Sequence, residues 1–458
     1  MVELPEELNY LNYPPQDWVA KSSTQFDVVI IGAGMAGLAA AFALKRKGIE
    51  RIQIYDRGIA GFEGPWSTYA RMPTLRSTKE LVGPAQELPA LSFRAWYEAR
   101  QGRASWETLG KIPTGMWMEY LRWYKQVLEL PVRNNRNLKA IIPEKFVLTL
   151  QIDQELITTQ KVVLATGRGG FGGIELPPWV DVLPKSCFST AYEPIDFTTL
   201  RGKRLAVIGC GASGFDAAST ALEQGSSEVD MIVRRKAIPQ VNKAASNTYY
   251  SFQEGYFYLS DQERWTFQTV AYSKGVPPPV EALRRIEKEK NFRLYLDTHI
   301  EEVAWDGKKI LFNTTKGLLA YDYLILATGF AIDGRKQPEL APFIDHILLW
   351  KDRAVAIGKN SPVRFLDSPY LGPHFQFLEK EEGGAPYLKN IYCYNYAATM
   401  SHGQLSGDIP GIGLGADRLA RGIAVDLFTE HARDYLKRLE KYQSLEFNRD
   451  DFPFMRQH

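Results

Sequence analysis

Two stretches of the chain share a pattern of an apolar strand, a glycine-rich turn and an alanine-rich helix. The first starts with the apolar run FDVVII at 26–31 and continues through GAGMAG into LAAAFALK. The second runs from RLAVI at 204–208 through GCGASG into FDAASTAL. Apolar runs without alternation are typical of parallel strands buried on both faces. Each stretch therefore predicts a strand, a tight turn and a helix.

The repeat continues to the end of each unit, where KVVLATG at 161–167 and YLILATG at 323–329 are apolar strands that close on Ala-Thr-Gly. This pattern predicts an α/β fold with two Rossmann-like dinucleotide-binding domains, the second inserted into the first. We expect residues 1–172 and 326–458 to form the discontinuous first domain and residues 173–325 the second. The aromatic-rich segment at about 239–290 fits no Rossmann element, and we interpret it as a mostly helical insert.

The first turn is a candidate FAD site. Gly32, Gly34 and Gly37 leave room for a pyrophosphate to approach the backbone N–H groups at the helix N-terminus. The next strand, RIQIYD at 51–56, ends in Asp56, where a carboxylate can bind a ribose hydroxyl. A glycine-rich turn without a ligand is the structural alternative.

The second turn differs in the charge that follows its second strand. Gly209, Gly211 and Gly214 repeat the glycine spacing, but EVDMIVRRKAIP at 228–239 carries Arg234 and Arg235 in place of an acid. A ribose 2′-phosphate pairs with guanidinium groups and is repelled by a carboxylate. The second site is therefore predicted to bind NADPH, with a solvated basic strand end as the alternative.

Composition narrows the classes of function. The 458-residue chain has a net charge of +2, which gives no indication of a nucleic-acid partner. Its three cysteines have no CxxC spacing, which argues against a disulfide framework and a dithiol-reductase site. Six histidines without ligand spacing argue against a metal site. The N-terminal segment has no apolar signal core, so we expect a cytoplasmic protein without a membrane partner. Assembly as a homo-oligomer is left open.

With two GxGxxG turns and an Ala-Thr-Gly strand end after each, the chain resembles the class B flavoprotein monooxygenases over roughly residues 26–430. The resemblance implies that NADPH reduces FAD and that a flavin C4a-hydroperoxide transfers one oxygen atom from O₂ to a small substrate. Ser213 in the second turn, and His402-Gly403 before a helix with Arg418, favour the branch that N-hydroxylates amines or amino acids. The cofactor-binding residues that the resemblance adds are Arg57, Trp66, Arg76, Thr166, Ser213, Thr328 and Asp408.

Two departures from the family pattern bear on the substrate. Of the Baeyer–Villiger fingerprint only the final aromatic residue, Tyr192, is retained, which disfavours ketone oxidation. In the segment TLRSTK, Arg76 stands where flavin-containing monooxygenases have an asparagine near the flavin. Together with Lys79, Asn242 and Lys243, Arg76 would form a cationic lining for the carboxylate of an amino acid substrate.

The predicted catalytic residues are accordingly Arg76, Asn242 and Lys243. The competing interpretation is that Arg76 and Lys243 pair with cofactor phosphates or with acids of the protein itself. Three alternative functions remain open: a Baeyer–Villiger or S-oxidising monooxygenase, an NADPH oxidase or reductase, and, least favoured, a flavin-binding protein without turnover.

Overall fold

The structure is a computed structural model that describes residues 3–144, 147–353 and 363–455. The strands, in chain order, are β1 (Phe26–Ile31), β2 (Ile52–Tyr55), β3 (Val132–Arg133), β4 (Leu138–Pro143), β5 (Leu148–Ile152), β6 (Glu155–Leu164), β7 (Gly172–Ile174), β8 (Phe188–Thr190), β9 (Arg204–Ile208), β10 (Glu228–Ile232), β11 (Phe292–Tyr295), β12 (Ile300–Trp305), β13 (Ile310–Thr314), β14 (Gly317–Tyr321), β15 (Tyr323–Leu326), β16 (Phe330–Ile332) and β17 (Ile391–Cys393). The α-helices are α1 (Leu4–Tyr10), α2 (Met35–Lys45), α3 (Phe93–Gln101), α4 (Arg103–Thr108), α5 (Thr114–Val127), α6 (Ala212–Glu223), α7 (Tyr250–Gly255), α8 (Asp261–Tyr272), α9 (Val280–Glu287), α10 (Thr399–His402), α11 (Ile412–Glu430) and α12 (Ala432–Glu440).

The first sheet has a parallel centre in the order β3-β2-β1-β6, and β17 also pairs in parallel with β6. The hairpin β4-β5 extends this sheet in the antiparallel direction. Every residue of β1 except Phe26 is buried, as its apolar run predicts. Helix α2 packs against α11, which covers it from the C-terminal part of the chain. The segment after residue 390 therefore packs on the first unit.

The second sheet is parallel throughout, in the order β11-β10-β9-β15-β8. Helices α6 and α9 pack against each other, and both contribute to one hydrophobic cluster with β9 and β10. A small antiparallel sheet, β12-β13-β14, lies beside it. Two Rossmann-like parallel sheets confirm the predicted fold class.

The two segments that connect the first unit to the second lie side by side. Strand β7 follows the first Ala-Thr-Gly, strand β16 follows the second, and the two strands pair in the antiparallel direction. The second sheet is thus inserted between two adjacent crossing strands. The domain boundaries at residues 172 and 325 stay a prediction.

The segment at 239–290 contains α7, α8 and α9. Tyr256, directly after α7, and Gln268, in α8, donate hydrogen bonds to the carbonyl oxygens of Met400 and Thr399, in the segment after β17. Helix α9, in contrast, packs on α6 and leads into β11, so it serves as a crossover helix of the second sheet. Only the earlier part of the segment behaves as an insert.

Within the described residues, no helix is long and apolar enough to cross a membrane, and no group of three His, Cys, Asp or Glu side chains is placed to hold a metal ion. Cys187, Cys210 and Cys393 are free thiols.

Candidate functional site: two dinucleotide turns and the cleft between them

The first glycine turn is too tight for any side chain at two of its positions. Gly32 has φ +104°, and a Cβ there would lie 2.4 Å from the carbonyl oxygen of Ala165. A Cβ at Gly37 would lie 1.8 Å from the carbonyl oxygen of Gly32. The absence of side chains lets the start of α2 pack directly against the Ala-Thr-Gly turn after β6.

The third glycine of this turn borders open space. Gly34 is the N-cap of α2, no side chain caps the helix, and a Cβ there would meet only the Cα of Gly64, at 3.8 Å. The unpaired N–H groups and the positive end of the helix dipole therefore fit the pyrophosphate of FAD.

The carboxylate of Asp56 lies beside the same turn, directly after β2. It accepts hydrogen bonds from the backbone N–H of Ala33 at 2.7 Å and of Gly58 at 2.6 Å. A carboxylate oxygen can accept more than one hydrogen bond, so Asp56 can hold the turn and also bind a ribose hydroxyl. Its neighbour Arg57 is exposed.

The second turn repeats the geometry of the first. Gly209 has φ +111°, and a Cβ there would lie 2.5 Å from the carbonyl oxygen of Ala327. A Cβ at Gly214 would lie 2.5 Å from the carbonyl oxygen of Gly209. Gly211 is the N-cap of α6 without a side-chain cap, and nothing lies within 4 Å of its missing Cβ. This second uncapped helix N-terminus also fits a pyrophosphate.

Arg234 and Arg235 follow β10, and both are exposed. Arg235 donates a hydrogen bond to the carbonyl oxygen of Lys274, which fixes its side chain beside the second turn. Exposed guanidinium groups at this strand end can pair with a 2′-phosphate, as the sequence predicts.

The loop with Trp66 approaches the first turn. Gly64 faces Gly34, and the half-buried Trp66 packs edge-on against Trp117, with ring centroids 6.3 Å apart. The buried carboxylate of Glu63, paired with Lys125 at 3.1 Å, anchors the start of this loop. Trp66 is thus held next to the candidate FAD site.

In open α/β sheets the binding crevice lies at the carboxyl ends of the parallel strands, and Arg168 is placed there, just after β6. Arg168 directly follows the first Ala-Thr-Gly, and its guanidinium lies 3.5 Å from the carboxylate of Asp408 and 5.3 Å from the ring of Tyr396. Burial opposes its charge, but Asp408, Tyr396, Tyr272 and Tyr69 more than compensate, so the pKa of Arg168 is raised. Its side chain is 56% exposed and lies among several segments of the chain.

A second group of rings extends this cleft towards the second turn. The ring of Tyr192 lies 4.3 Å from that of Phe330 and 6.5 Å, edge-on, from that of Tyr69. The side chain of Ser213, at the start of α6, lies beside the hydroxyl of Tyr192. We call the space bordered by Tyr69, Arg168, Tyr192, Tyr272, Phe330 and Tyr396 the interdomain cleft.

Comparisons with known proteins agree with this geometry. Two models described as pyridine nucleotide-disulphide oxidoreductase match residues 29–253 and 203–342. The chain is 36% identical over 455 residues to an FAD-dependent urate hydroxylase of Xanthomonas campestris pv. campestris, with 97% of this chain and 96% of the relative covered. The chain belongs to the class B flavoprotein monooxygenases.

Solved structures show the same fold at low identity. The ornithine hydroxylase of Pseudomonas aeruginosa has a TM-score of 0.67 and 16% identity, with 88% of this chain and 99% of that chain covered. The L-lysine 6-monooxygenase of Pseudomonas syringae has a TM-score of 0.66 and 16% identity, with the same coverage of both chains. The prediction of an FAD-dependent monooxygenase is confirmed.

The predicted catalytic residues of this monooxygenase do not meet in one place. Arg76 donates a hydrogen bond at 2.8 Å to the buried carboxylate of Asp216, on α6. Asn242 caps a short turn by accepting from the N–H of Ala245, and Lys243 is exposed. No contact among the described residues joins Arg76 to Asn242 or Lys243. The catalytic role of these three residues therefore stays a prediction.

Lys79 does not contribute to the expected cationic lining. Its ammonium donates to the carbonyl oxygens of Trp106 at 2.6 Å and Leu109 at 2.7 Å, and it lies over the ring of Trp106. Lys79 thus stabilises the end of α4. The expectation for Lys79 was wrong because the sequence did not reveal this helix end.

The threonines of the two Ala-Thr-Gly turns have protein partners. The hydroxyl of Thr166 accepts from the Asn395 side-chain amide at 3.1 Å, and the hydroxyl of Thr328 donates to the carbonyl oxygen of Glu175. Both threonines position the backbone of their turns. Their direct contact with a cofactor stays a prediction.

His402 lies away from the cleft surface. It is fully buried between the rings of Phe257 and Phe375, with centroids 4.9 and 3.9 Å from its own, and its Nε2 is hydrogen-bonded to the carbonyl of Gly372. Burial lowers its pKa well below the usual value. The neutral ring is therefore part of the core.

Sequence reasoning did not select Arg168 or Asp216. Arg168 had a signal, because it directly follows a strand whose carboxyl end borders the binding crevice of an α/β sheet. Asp216 had none, since its partner lies 140 residues away in another unit.

Proposed function

We propose that this flavoprotein uses FAD and NADPH to hydroxylate a small, planar, anionic nitrogen heterocycle of the oxopurine class, such as urate. The observation that carries the proposal is Arg168, a cation half exposed in a cleft bordered by aromatic rings. A guanidinium pairs with an anionic ring, and aromatic faces stack on a planar one. The identity of 36% to a urate hydroxylase supports the same substrate class.

Each glycine turn binds one of the two cofactors. The uncapped N-terminus of α2 binds the pyrophosphate of FAD, with Asp56 on its ribose. The uncapped N-terminus of α6 binds the pyrophosphate of NADPH, and Arg234 and Arg235 pair with the 2′-phosphate. A neighbouring N-hydroxylase structure contains NADP⁺, which supports the use of this coenzyme.

FAD at the first turn would supply the redox chemistry, namely two-electron reduction by NADPH and activation of O₂, with one oxygen atom transferred to the substrate as hydroxyl and the other released as water. The chain contributes position and shielding. Arg168 holds the negative charge of the substrate, and Tyr192 and Phe330 exclude water from one side of the interdomain cleft. Their packed rings leave the substrate few orientations.

N-hydroxylation of an amino acid is the second candidate, because the guanidinium of Arg168 pairs equally well with a carboxylate. The sequence motifs that favour the N-hydroxylating branch support it. The two candidates differ in the substrate that Arg168 holds, and they use the same cofactors.

The decisive experiment measures NADPH oxidation with urate, xanthine, ornithine and lysine, with hydrogen peroxide and substrate loss quantified in parallel. We expect urate to stimulate NADPH oxidation and to disappear in equal amount, with little peroxide. If ornithine or lysine alone is consumed, the second candidate replaces the first. If peroxide matches the NADPH oxidised with every compound, the protein is an oxidase and the proposal is wrong.

A further inference from the structure

The loop that follows Trp66 is tied to the second unit. The guanidinium of Arg71 donates to the carbonyl oxygens of Ala191 and Glu193, both at 2.7 Å, just after β8 of the second sheet. In return, Arg285 on α9 donates to the carbonyl oxygen of Arg71 at 3.3 Å. The loop beside the candidate FAD site is therefore bound to the unit that carries the second turn.

The third link is an ion pair between Arg76 and Asp216. Their side chains meet at 2.8 Å, and Asp216 is 5% exposed while Arg76 is 45% exposed. Asp216 belongs to α6, two residues after Gly214, the last glycine of the second turn. The pair thus joins the helix that receives NADPH to the loop that carries Trp66.

Burial makes the carboxylate dependent on its partner. Burial raises the pKa of Asp216, and the guanidinium of Arg76 opposes this rise more strongly than those of Arg285 and Arg71. A buried carboxylate that loses its nearest cation is left with an uncompensated charge, which is strongly unfavourable. The ion pair therefore opposes separation of the two units at Asp216.

We propose that Asp216 is a positioning residue that acts through Arg76 to fix α6, and with it the nicotinamide of NADPH, relative to the flavin. Hydride transfer requires the two rings to meet within a narrow range of distance and angle. The ion pair sets the position of α6 at its nucleotide-binding end. This inference rests on the proposed use of NADPH but not on the identity of the oxygenated substrate.

The test is anaerobic bleaching of the flavin by NADPH, followed by stopped flow, in Arg76→Gln, Asp216→Asn and the combined variant. We expect each single change to slow bleaching about ten- to a hundredfold, the loss typical of one charge-assisted hydrogen bond. The combined variant should be no slower than the slower single variant, because both remove the same pair. Arg76→Lys should recover most of the rate, and reduction by dithionite should be unchanged in all of them.

A matched control is available at the same interface. Lys111 pairs with Glu281 on α9 at 2.6 Å, but both side chains are exposed and neither lies on α6. Lys111→Gln should bleach at the unmodified rate. This control distinguishes an effect of the position of α6 from an effect of losing any ion pair between the two units.

The inference is overturned if the single variants bleach at the unmodified rate, if their effects multiply in the combined variant, or if Arg76→Gln loses FAD. Should Asp216→Asn fail to fold, the contrast between Arg76→Gln and Arg76→Lys decides, since Arg76 is near the surface. If NADPH does not reduce the unmodified protein, the proposed function fails. If it does, but the Arg76 and Asp216 variants bleach as fast as the unmodified protein, only the inference about Asp216 fails.

Discussion

The two glycine turns have nearly the same backbone and different surroundings. In each, the first glycine faces the alanine carbonyl of an Ala-Thr-Gly, and a Cβ would approach that oxygen to 2.4 Å in one turn and 2.5 Å in the other. Each turn also ends in an uncapped helix N-terminus. The shared geometry explains how one chain can bind two dinucleotides.

The residues that follow the second strand of each unit differ. Tyr55 and Ile232 occupy equivalent places, because each accepts from the first glycine of its turn. The next residue is Asp56 in the first unit and the buried Val233 in the second, where arginines then follow. The comparison supports the proposal that the glycines determine where a dinucleotide binds, whereas the strand end determines which dinucleotide it is.

The residues after the two Ala-Thr-Gly turns differ as well. Arg168 follows the first and Phe330 follows the second, and both border the interdomain cleft. The first unit thus supplies the charge of the cleft and the second unit part of its aromatic wall. The substrate is therefore expected to contact both units.

The largest effect is expected from filling the turns. Gly32→Ala should give a colourless protein, because its Cβ would overlap the carbonyl oxygen of Ala165 at a φ that alanine rarely adopts. Gly209→Ala should keep FAD and lose reduction by NADPH. FAD content after denaturation and flavin bleaching measure the two outcomes.

Gly115→Ala is the control for this pair, since nothing lies within 4 Å of its missing Cβ and it lies in α5. It should bind FAD and react with NADPH normally. Loss of FAD in Gly209→Ala with retention in Gly32→Ala would reverse the assignment of the two sites.

Removing the positive charge of Arg168 should have the second-largest effect. Arg168→Gln should lower kcat/KM for the anionic substrate about ten- to a hundredfold through the lost charged contact, while flavin reduction by NADPH stays normal. Arg335→Gln is the matched control, because Arg335 is also 56% exposed but pairs with Asp333 and Asp345. Equal kinetics of the two variants would contradict a substrate role for Arg168.

Asp56 offers a smaller test of the first strand end. Asp56→Asn keeps the shape of the side chain but removes the negative charge of the carboxylate, whose oxygens accept hydrogen bonds from two backbone N–H groups. The affinity for FAD should therefore fall about tenfold. Titration of the apoprotein with FAD, followed by fluorescence quenching, gives the Kd. An unchanged Kd would mean that Asp56 serves only the turn.

The sequence predicted the parts of this structure that depend on local pattern. Gly32, Gly37, Gly209 and Gly214 could be placed because strand, turn and helix follow one another along the chain. The ion pair of Arg94 and Glu98, four residues apart on α3 and joined at 2.7 Å, depends on the same kind of local spacing.

Contacts between distant segments could not be predicted. The pairing of Arg76 with Asp216 and the burial of His402 between two phenylalanines depend on how the units pack. The role of α9 as a crossover helix depends likewise on its contact with α6. A single sequence carries no signal for such contacts, because residue spacing encodes neighbours along a helix or strand only.

The central claim is that the first turn binds FAD and the second binds NADPH. Its most direct test is the ratio of kcat/KM for NADPH to kcat/KM for NADH in flavin reduction. The ratio is measured in the unmodified protein and in the double variant Arg234→Ala/Arg235→Ala. A single charge-assisted contact to the 2′-phosphate predicts a preference for NADPH of at least about tenfold in the unmodified protein. The double variant should lose most of that preference while it keeps FAD. Equal efficiency with the two coenzymes in the unmodified protein, or a preference that survives in the variant, would contradict the account.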